Sequence, residues 1–159
     1  MEASTRLLVV CLGNICRSPM AEGALRARLA EAGLQERVWV DSAGTGDWHV
    51  VEPPDHRAIA CAARNGVDIG GQRARQLSVR DFSDFAAILC ADRSTLRQTR
   101  AWAPSGRRDA CMLLSDYAGQ GEIEVPDPYT GGTAEFDHAW ALVDAMARDI
   151  VQALVRRPR

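Results

Sequence analysis

Residues 6–10 form a short, nearly all-apolar run that leads into seven loop-like residues and then into a helix start at Ser18-Pro19. A Leu/Val run of this length suits a strand covered on both faces, as in a parallel sheet flanked by helices. Ser18 suits an N-cap and Pro19 the first helical turn. A helix is therefore expected up to Gly33, with Ala21, Leu25 and Leu29 buried and Glu22 paired with Arg26 on the wet side. Strand, tight loop and helix in that order restrict the chain to α/β architectures.

The rest of the sequence repeats the alternation. Segments 37–41, 85–90 and 110–114 read as further strands, 55–65 and 93–101 as helices, and 42–54 and 115–133 as loops. Phe136, Trp140, Val143, Ala147, Ile150 and Leu154 recur at helical spacing and mark the buried face of a last helix. With no internal repeat and no linker, the 159 residues fit a single domain, 1–159, able to bury its own core.

Composition excludes several classes of function. A formal net charge of −2 offers no field for nucleic acid or an anionic membrane. No apolar stretch approaches the roughly 20 residues of a membrane span, and the run at 7–12 is too short for a signal peptide. The five cysteines, Cys11, Cys16, Cys61, Cys90 and Cys111, are odd in number and lie mostly in apolar runs. That pattern reads as free thiols in a reducing compartment, so a cytoplasmic location is expected. Without a CxxC pair or a His cluster, neither a zinc site nor any other cofactor is expected. All 19 basic residues are Arg, which fits a GC-rich, bacterial genome.

The chemistry concentrates in Cys11-Leu12-Gly13-Asn14-Ile15-Cys16-Arg17-Ser18. A loop between a strand end and a helix start turns backbone N–H groups inward and adds the positive end of the helix dipole, which makes an anion site. Gly13 lets the backbone approach a ligand. Arg17 supplies a planar fork for two phosphate oxygens. A cysteine in the same positive field is favoured as the thiolate, the nucleophilic form. The GxxxxGK[ST] nucleotide loop is absent. Taken alone, Cys-x5-Arg also fits a buried cysteine beside an unrelated arginine; the flanking strand and helix start argue for the cradle. Ser18 can cap the helix or donate to Cys11, and Asn14 can brace the loop or merely turn it.

These residues carry a resemblance. Val-Cys-Leu-Gly-Asn-Ile-Cys-Arg-Ser-Pro-Met-Ala-Glu, residues 10–22, resembles the N-terminal signature of the low-molecular-weight protein tyrosine phosphatases. Asp41-Ser42-Ala43-Gly44-Thr45, Arg73-Ala74-Arg75-Gln76-Leu77 and Asp127-Pro128-Tyr129 follow in the family's order. The resemblance implies a four-stranded parallel sheet in order 2-1-3-4, helices on both faces, and a site at the carboxyl ends of the strands. It implies hydrolysis of phosphotyrosine in proteins through a cysteinyl-phosphate, with Cys11 as nucleophile, Arg17 as phosphate clamp and Asp127 as general acid and base. Leu12, Gly13, Asn14, Ile15, Cys16, Ser18, Trp48 and Tyr129 would contact substrate, and a phosphate or sulfate ion would occupy the same place. Phosphotyrosine proteins would be the partners and a tyrosine kinase the counterpart.

Asp127 also stands on its own chemistry: a leaving phenolate needs a proton, the attacking water needs a base, and one carboxylate can serve both in turn. An Asx turn is its other reading. By the resemblance, Trp48, His49 and Tyr129 lie in the two loops that wall the pocket and would stack on a phenyl ring; loop aromatics also serve as plain surface anchors. Asp92 is similar to a family aspartate behind the loop, with a helix N-cap as its other reading. Gln72 stands where many relatives carry His, Val51 replaces a common Gly, Ala91 and Thr95 depart from the residues usual around Asp92, and a single Tyr follows Asp127-Pro128. Cys16 could trap oxidised Cys11 as a disulfide or simply pack. The alternatives are a thiol-coupled arsenate reductase of the same fold, which needs two further cysteines close together, and a non-catalytic phosphotyrosine-binding module.

Overall fold

A computed structural model describes residues 4–157. Strands β1 (Thr5–Cys11), β2 (Val38–Gly44), β3 (Ala87–Cys90) and β4 (Cys111–Leu113) form one parallel sheet in the order β2-β1-β3-β4. The helices are α1 (Arg17–Glu31), α2 (His56–Arg64), α3 (Asp81–Asp84), α4 (Arg93–Trp102), α5 (Leu114–Tyr117) and α6 (Thr133–Arg156). None of the described helices is long and apolar enough to cross a membrane.

Strand alternation explains the two-sided layering. Leu7, Val9 and Cys11 of β1 face a core filled by α1, α2 and α6. Leu8 and Val10 face a smaller core built from Phe82, Phe85, Ile88, Cys90, Ala103 and Cys111, with Leu96 of α4 packed against it. The central strand is thus covered on both sides, as its unbroken apolar character requires. Phe136, Trp140, Val143, Ala147 and Ile150 are buried along α6, and Leu154 is half-buried.

Three expectations are corrected. Strand β2 continues to Gly44 because its register pairs it along all of β1, ending at Cys11 opposite Gly44. Helix α1 begins at Arg17, two residues earlier than a Ser18 cap would start it, and Cys16 occupies the N-cap without a side-chain bond. Glu22 is not on a wet face: α1 is buried continuously from Arg17 to Leu25, and Glu22 is only 3% exposed. The four-residue helices α3 and α5 fall within one turn, too short to leave a helical period in the sequence.

Candidate active site

Cys11 ends β1 and Arg17 opens α1, so the loop between them curls at the carboxyl edge of the sheet. The curl depends on Asn14, whose φ of 57° lies in the left-handed region that Asn enters more readily than most residues. In this conformation the Asn14 backbone N–H points at Cys11 Sγ, 3.3 Å away. The neighbouring strand must come close as well. A Cβ on Gly44 would lie 2.8 Å from the Leu12 carbonyl oxygen, so only glycine fits there.

Below the loop, hydrogen bonds run in one direction. The Asn14 side-chain amide donates to Ser18 Oγ at 2.8 Å and to Ser42 Oγ at 2.9 Å, while its carbonyl accepts from Arg75 N at 3.0 Å. Each serine has one proton left to donate. That of Ser42 goes to Glu22 Oε1 at 2.7 Å, and that of Ser18 faces Cys11 Sγ at 3.0 Å. Toward a Cys11 thiolate Ser18 can only donate, and it makes no helix-cap bond; Asn14 is a brace rather than a passive turn residue.

Arg17 is buried, and its Nη1 donates to Asp92 Oδ2 at 2.6 Å and to the Val125 carbonyl at 3.0 Å. Nη2 lies on the cleft side, 3.8 Å from Asp127 Oδ2. Asp92 meets both of its expectations: Oδ2 holds Arg17 while Oδ1 caps α4 by accepting from Thr95 N at 2.7 Å. Burial alone would raise the Asp92 carboxyl, but the bonds from Arg17 and Thr95 hold it below its ordinary value. For Arg17, burial opposes the charge, and the neighbouring Cys11 and Asp92 more than compensate, so it stays firmly cationic.

These groups surround a cleft of about 180 Å³. Cys11, Leu12, Gly13, Ile15, Cys16 and Arg17 form its base, and Trp48, His49, Asp127 and Tyr129 its walls. Asn14 and Ser18 lie beneath, reaching the cleft through the Asn14 amide and the sulfur. Trp48 is seated against Gly46, where a Cβ would approach its ring to 2.0 Å. The Trp48 loop is tied to the Cys11–Arg17 loop by the bonds from Thr45 N to the Cys11 carbonyl and from Gly46 N to the Leu12 carbonyl. Asp127 Oδ1 accepts from Tyr129 N at 3.1 Å, so the Asx turn is present and aims the second carboxylate oxygen toward Arg17.

The sequence profile of the low molecular weight phosphotyrosine protein phosphatases matches residues 6–159. The chain belongs to that family. A Schizosaccharomyces pombe protein named as a low molecular weight phosphotyrosine protein phosphatase is 43% identical over 147 residues, spanning 91% of this chain and 94% of its own length. A Streptomyces coelicolor low molecular weight protein-tyrosine-phosphatase is 40% identical over 153 residues, 94% of this chain and 93% of its own. Among solved structures, Vibrio vulnificus Wzb in complex with benzylphosphonate superposes with a TM-score of 0.80 at 32% identity, covering 96% of this chain and 97% of that one.

Two departures of this phosphatase have visible consequences. The Gln72 side-chain amide donates to the Pro19 carbonyl at 3.0 Å and leaves its Oε1 buried without a partner. Val51 has a φ of 68°, a conformation that is strained for a β-branched residue, and it is 75% exposed. Backbone bonds from Val51 N to Ala74 O and from Ala74 N to Glu52 O, both 2.8 Å, hold it there. Val51→Gly is expected to raise stability by about 1 kcal/mol, read as a higher denaturation midpoint.

Sequence reasoning missed the buried Glu22–Ser42 pair and the Arg75 backbone N–H that holds the Asn14 side-chain carbonyl. Asp41-Ser42 was visible as a block, but nothing local shows which helix face covers it. Burial pushes the Glu22 carboxyl above its ordinary value, against the opposing pulls of Ser42 and Arg26. A carboxyl raised in the folded state stabilises fully only while protonated, and that contribution is lost as pH rises through the folded value. Glu22→Gln keeps an acceptor for Ser42 but cannot ionise. Denaturant melts from about pH 4 to pH 7 should show the parent losing more stability across that window than the variant.

Proposed function

We propose that this phosphatase hydrolyses phosphotyrosine in proteins through a cysteinyl-phosphate on Cys11. The observation that carries the reading is the convergence of the Cys11 sulfur, the free edge of the Arg17 guanidinium and the Asp127 carboxylate on one cleft. The thiolate, accepting from Ser18 and the Asn14 amide, attacks phosphorus in line. Arg17 and the loop N–H groups of residues 12–17 receive the equatorial oxygens. Asp127 gives its proton to the departing phenolate, then takes one from the water that releases phosphate from sulfur. Trp48 and Tyr129 flank the ring of the substrate tyrosine, and the benzylphosphonate bound by the Vibrio relative has the same aryl and phosphoryl ends.

The five cysteines are free and buried, which supports work in a reducing, cytoplasmic compartment against a tyrosine kinase that supplies the substrate. Of the cysteines, Cys11 and Cys16 line the cleft, while Cys61, Cys90 and Cys111 lie in the two cores. Cys90 and Cys111 are neighbours in the smaller core, on the opposite side of the sheet from Cys11, and that placement argues against a relay for arsenate reduction. Cys16 serves as a reserve thiol: peroxide oxidises Cys11 to the sulfenic acid, and Cys16 displaces water from it to form a disulfide that thiols reverse. Burial raises the Cys16 thiol, as do Asp55, Cys11 and Asp127, so the closure is slow until the loop opens. Peroxide inactivation that is equally reversible in Cys16→Ala would exclude it.

The central experiment is turnover of para-nitrophenyl phosphate with and without arsenate. Phosphate release that needs neither arsenate nor added thiol is expected. Thiol consumption driven by arsenate would support the reductase instead, and binding without turnover the non-catalytic module.

A further inference from the structure

We propose that Arg57 is a positioning residue that latches the Asp127 loop to the nucleophile loop; the proposal rests on the hydrolytic reading above. Arg57 sits in the first turn of α2 and reaches two segments at once. Its Nη1 donates to the Gly131 carbonyl at 3.1 Å and its Nη2 to the Tyr129 carbonyl at 2.9 Å. Its Nε and Nη2 also bind the two oxygens of Asp55 at 3.0 Å each. The guanidinium lies over the Phe136 ring at 4.7 Å and the Tyr129 ring at 5.5 Å, so its plane is fixed by stacking as well as by donors.

Asp55 completes the connection. Its carboxylate caps α2 through Arg57 N at 2.8 Å, and its own backbone N–H donates to the Ile15 carbonyl in the nucleophile loop at 2.8 Å. A polar chain therefore runs from Ile15 through Asp55 and Arg57 to residues 129 and 131. Among the described residues, the hydrogen bonds that tie residues 126–131 to distant parts of the chain are those from Arg57. The link to the acid is short. The Tyr129 carbonyl accepts from Arg57, and the Tyr129 N–H holds Asp127 Oδ1 at 3.1 Å. Moving the latch moves the carboxyl that must meet the leaving oxygen.

In the first step the Sγ–P bond forms, the P–O(aryl) bond breaks, and the Asp127 proton passes to that oxygen. A residue that only positions this proton matters most for poor leaving groups. Dinitrophenolate leaves without protonation, whereas phenolate does not. The test is the single-turnover rate of phenol release, measured by rapid mixing with enzyme in excess, across a series from dinitrophenyl to phenyl phosphate, with Asp127→Asn as benchmark. Arg57→Met is expected to slow phenyl phosphate about 10- to 100-fold and dinitrophenyl phosphate by less than about twofold. A uniform loss across the series, or none, overturns the latch.

Should Arg57→Met fail to fold, Arg57→Lys carries the test. Its ammonium keeps the charge but reaches one carbonyl at a time, so an intermediate leaving-group dependence is expected, and a parental one overturns the proposal. A parent enzyme that releases neither phenol nor phosphate overturns the hydrolytic reading and the latch together. A parent that turns over, with unaltered Arg57 variants, overturns the latch alone.

Discussion

Serine in place of Cys11 is expected to lower turnover of aryl phosphates by about 10⁴-fold or more while phosphate still binds. The substitution is nearly isosteric in a buried position, and the Asn14 amide and Ser18 hydroxyl keep an acceptor to point at. What is lost is the proposed nucleophile. A serine hydroxyl is not ionised near neutral pH, and the group nearest the sulfur, Ser18, faces it as a donor and cannot act as base. Steady-state kinetics with calorimetric titration of inorganic phosphate separates the two effects. A serine variant within about tenfold of the parent rate would remove Cys11 from the mechanism.

Arg17→Lys is expected to cost about 10³-fold in kcat/KM, a large effect for a change that keeps the charge. The guanidinium has two separate tasks. One edge is spent on Asp92 and the Val125 carbonyl, and the other stays on the cleft side near Asp127. A lysine ammonium is a single point on a flexible stem and will settle on the half-buried carboxylate of Asp92, leaving the cleft without its planar donor pair. Kinetics and a thermal melt on one preparation distinguish this from unfolding. A lysine variant with near-parental kcat/KM would mean that the loop amides alone carry the phosphate charge.

How much of this was legible beforehand depends on how local each cause is. The strand, loop and helix around Cys11 were readable because each leaves a signal within a few residues, an apolar run, a cluster of turn formers and a Pro19 that suits a first helical turn, although the Ser18 cap read beside it does not form. Asp92 was readable as two rival roles because both depend on its place after a strand; that one carboxylate performs both needed the distances to Arg17 and Thr95. Glu22 was misjudged because i,i+4 pairing with Arg26 looks the same on a wet or a dry face. Only the packing of β2 against α1 decides it. Arg57 gave no signal, since the carbonyls it grips lie more than 70 residues away.

The one-way hydrogen bonding beneath the loop has a consequence for how the phosphatase meets its substrate. Because Asn14 surrenders both amide protons to serine oxygens, neither hydroxyl is free to turn round when an anion arrives. The dipoles facing the sulfur are set before binding, and no orientational work is left for the moment of bond formation.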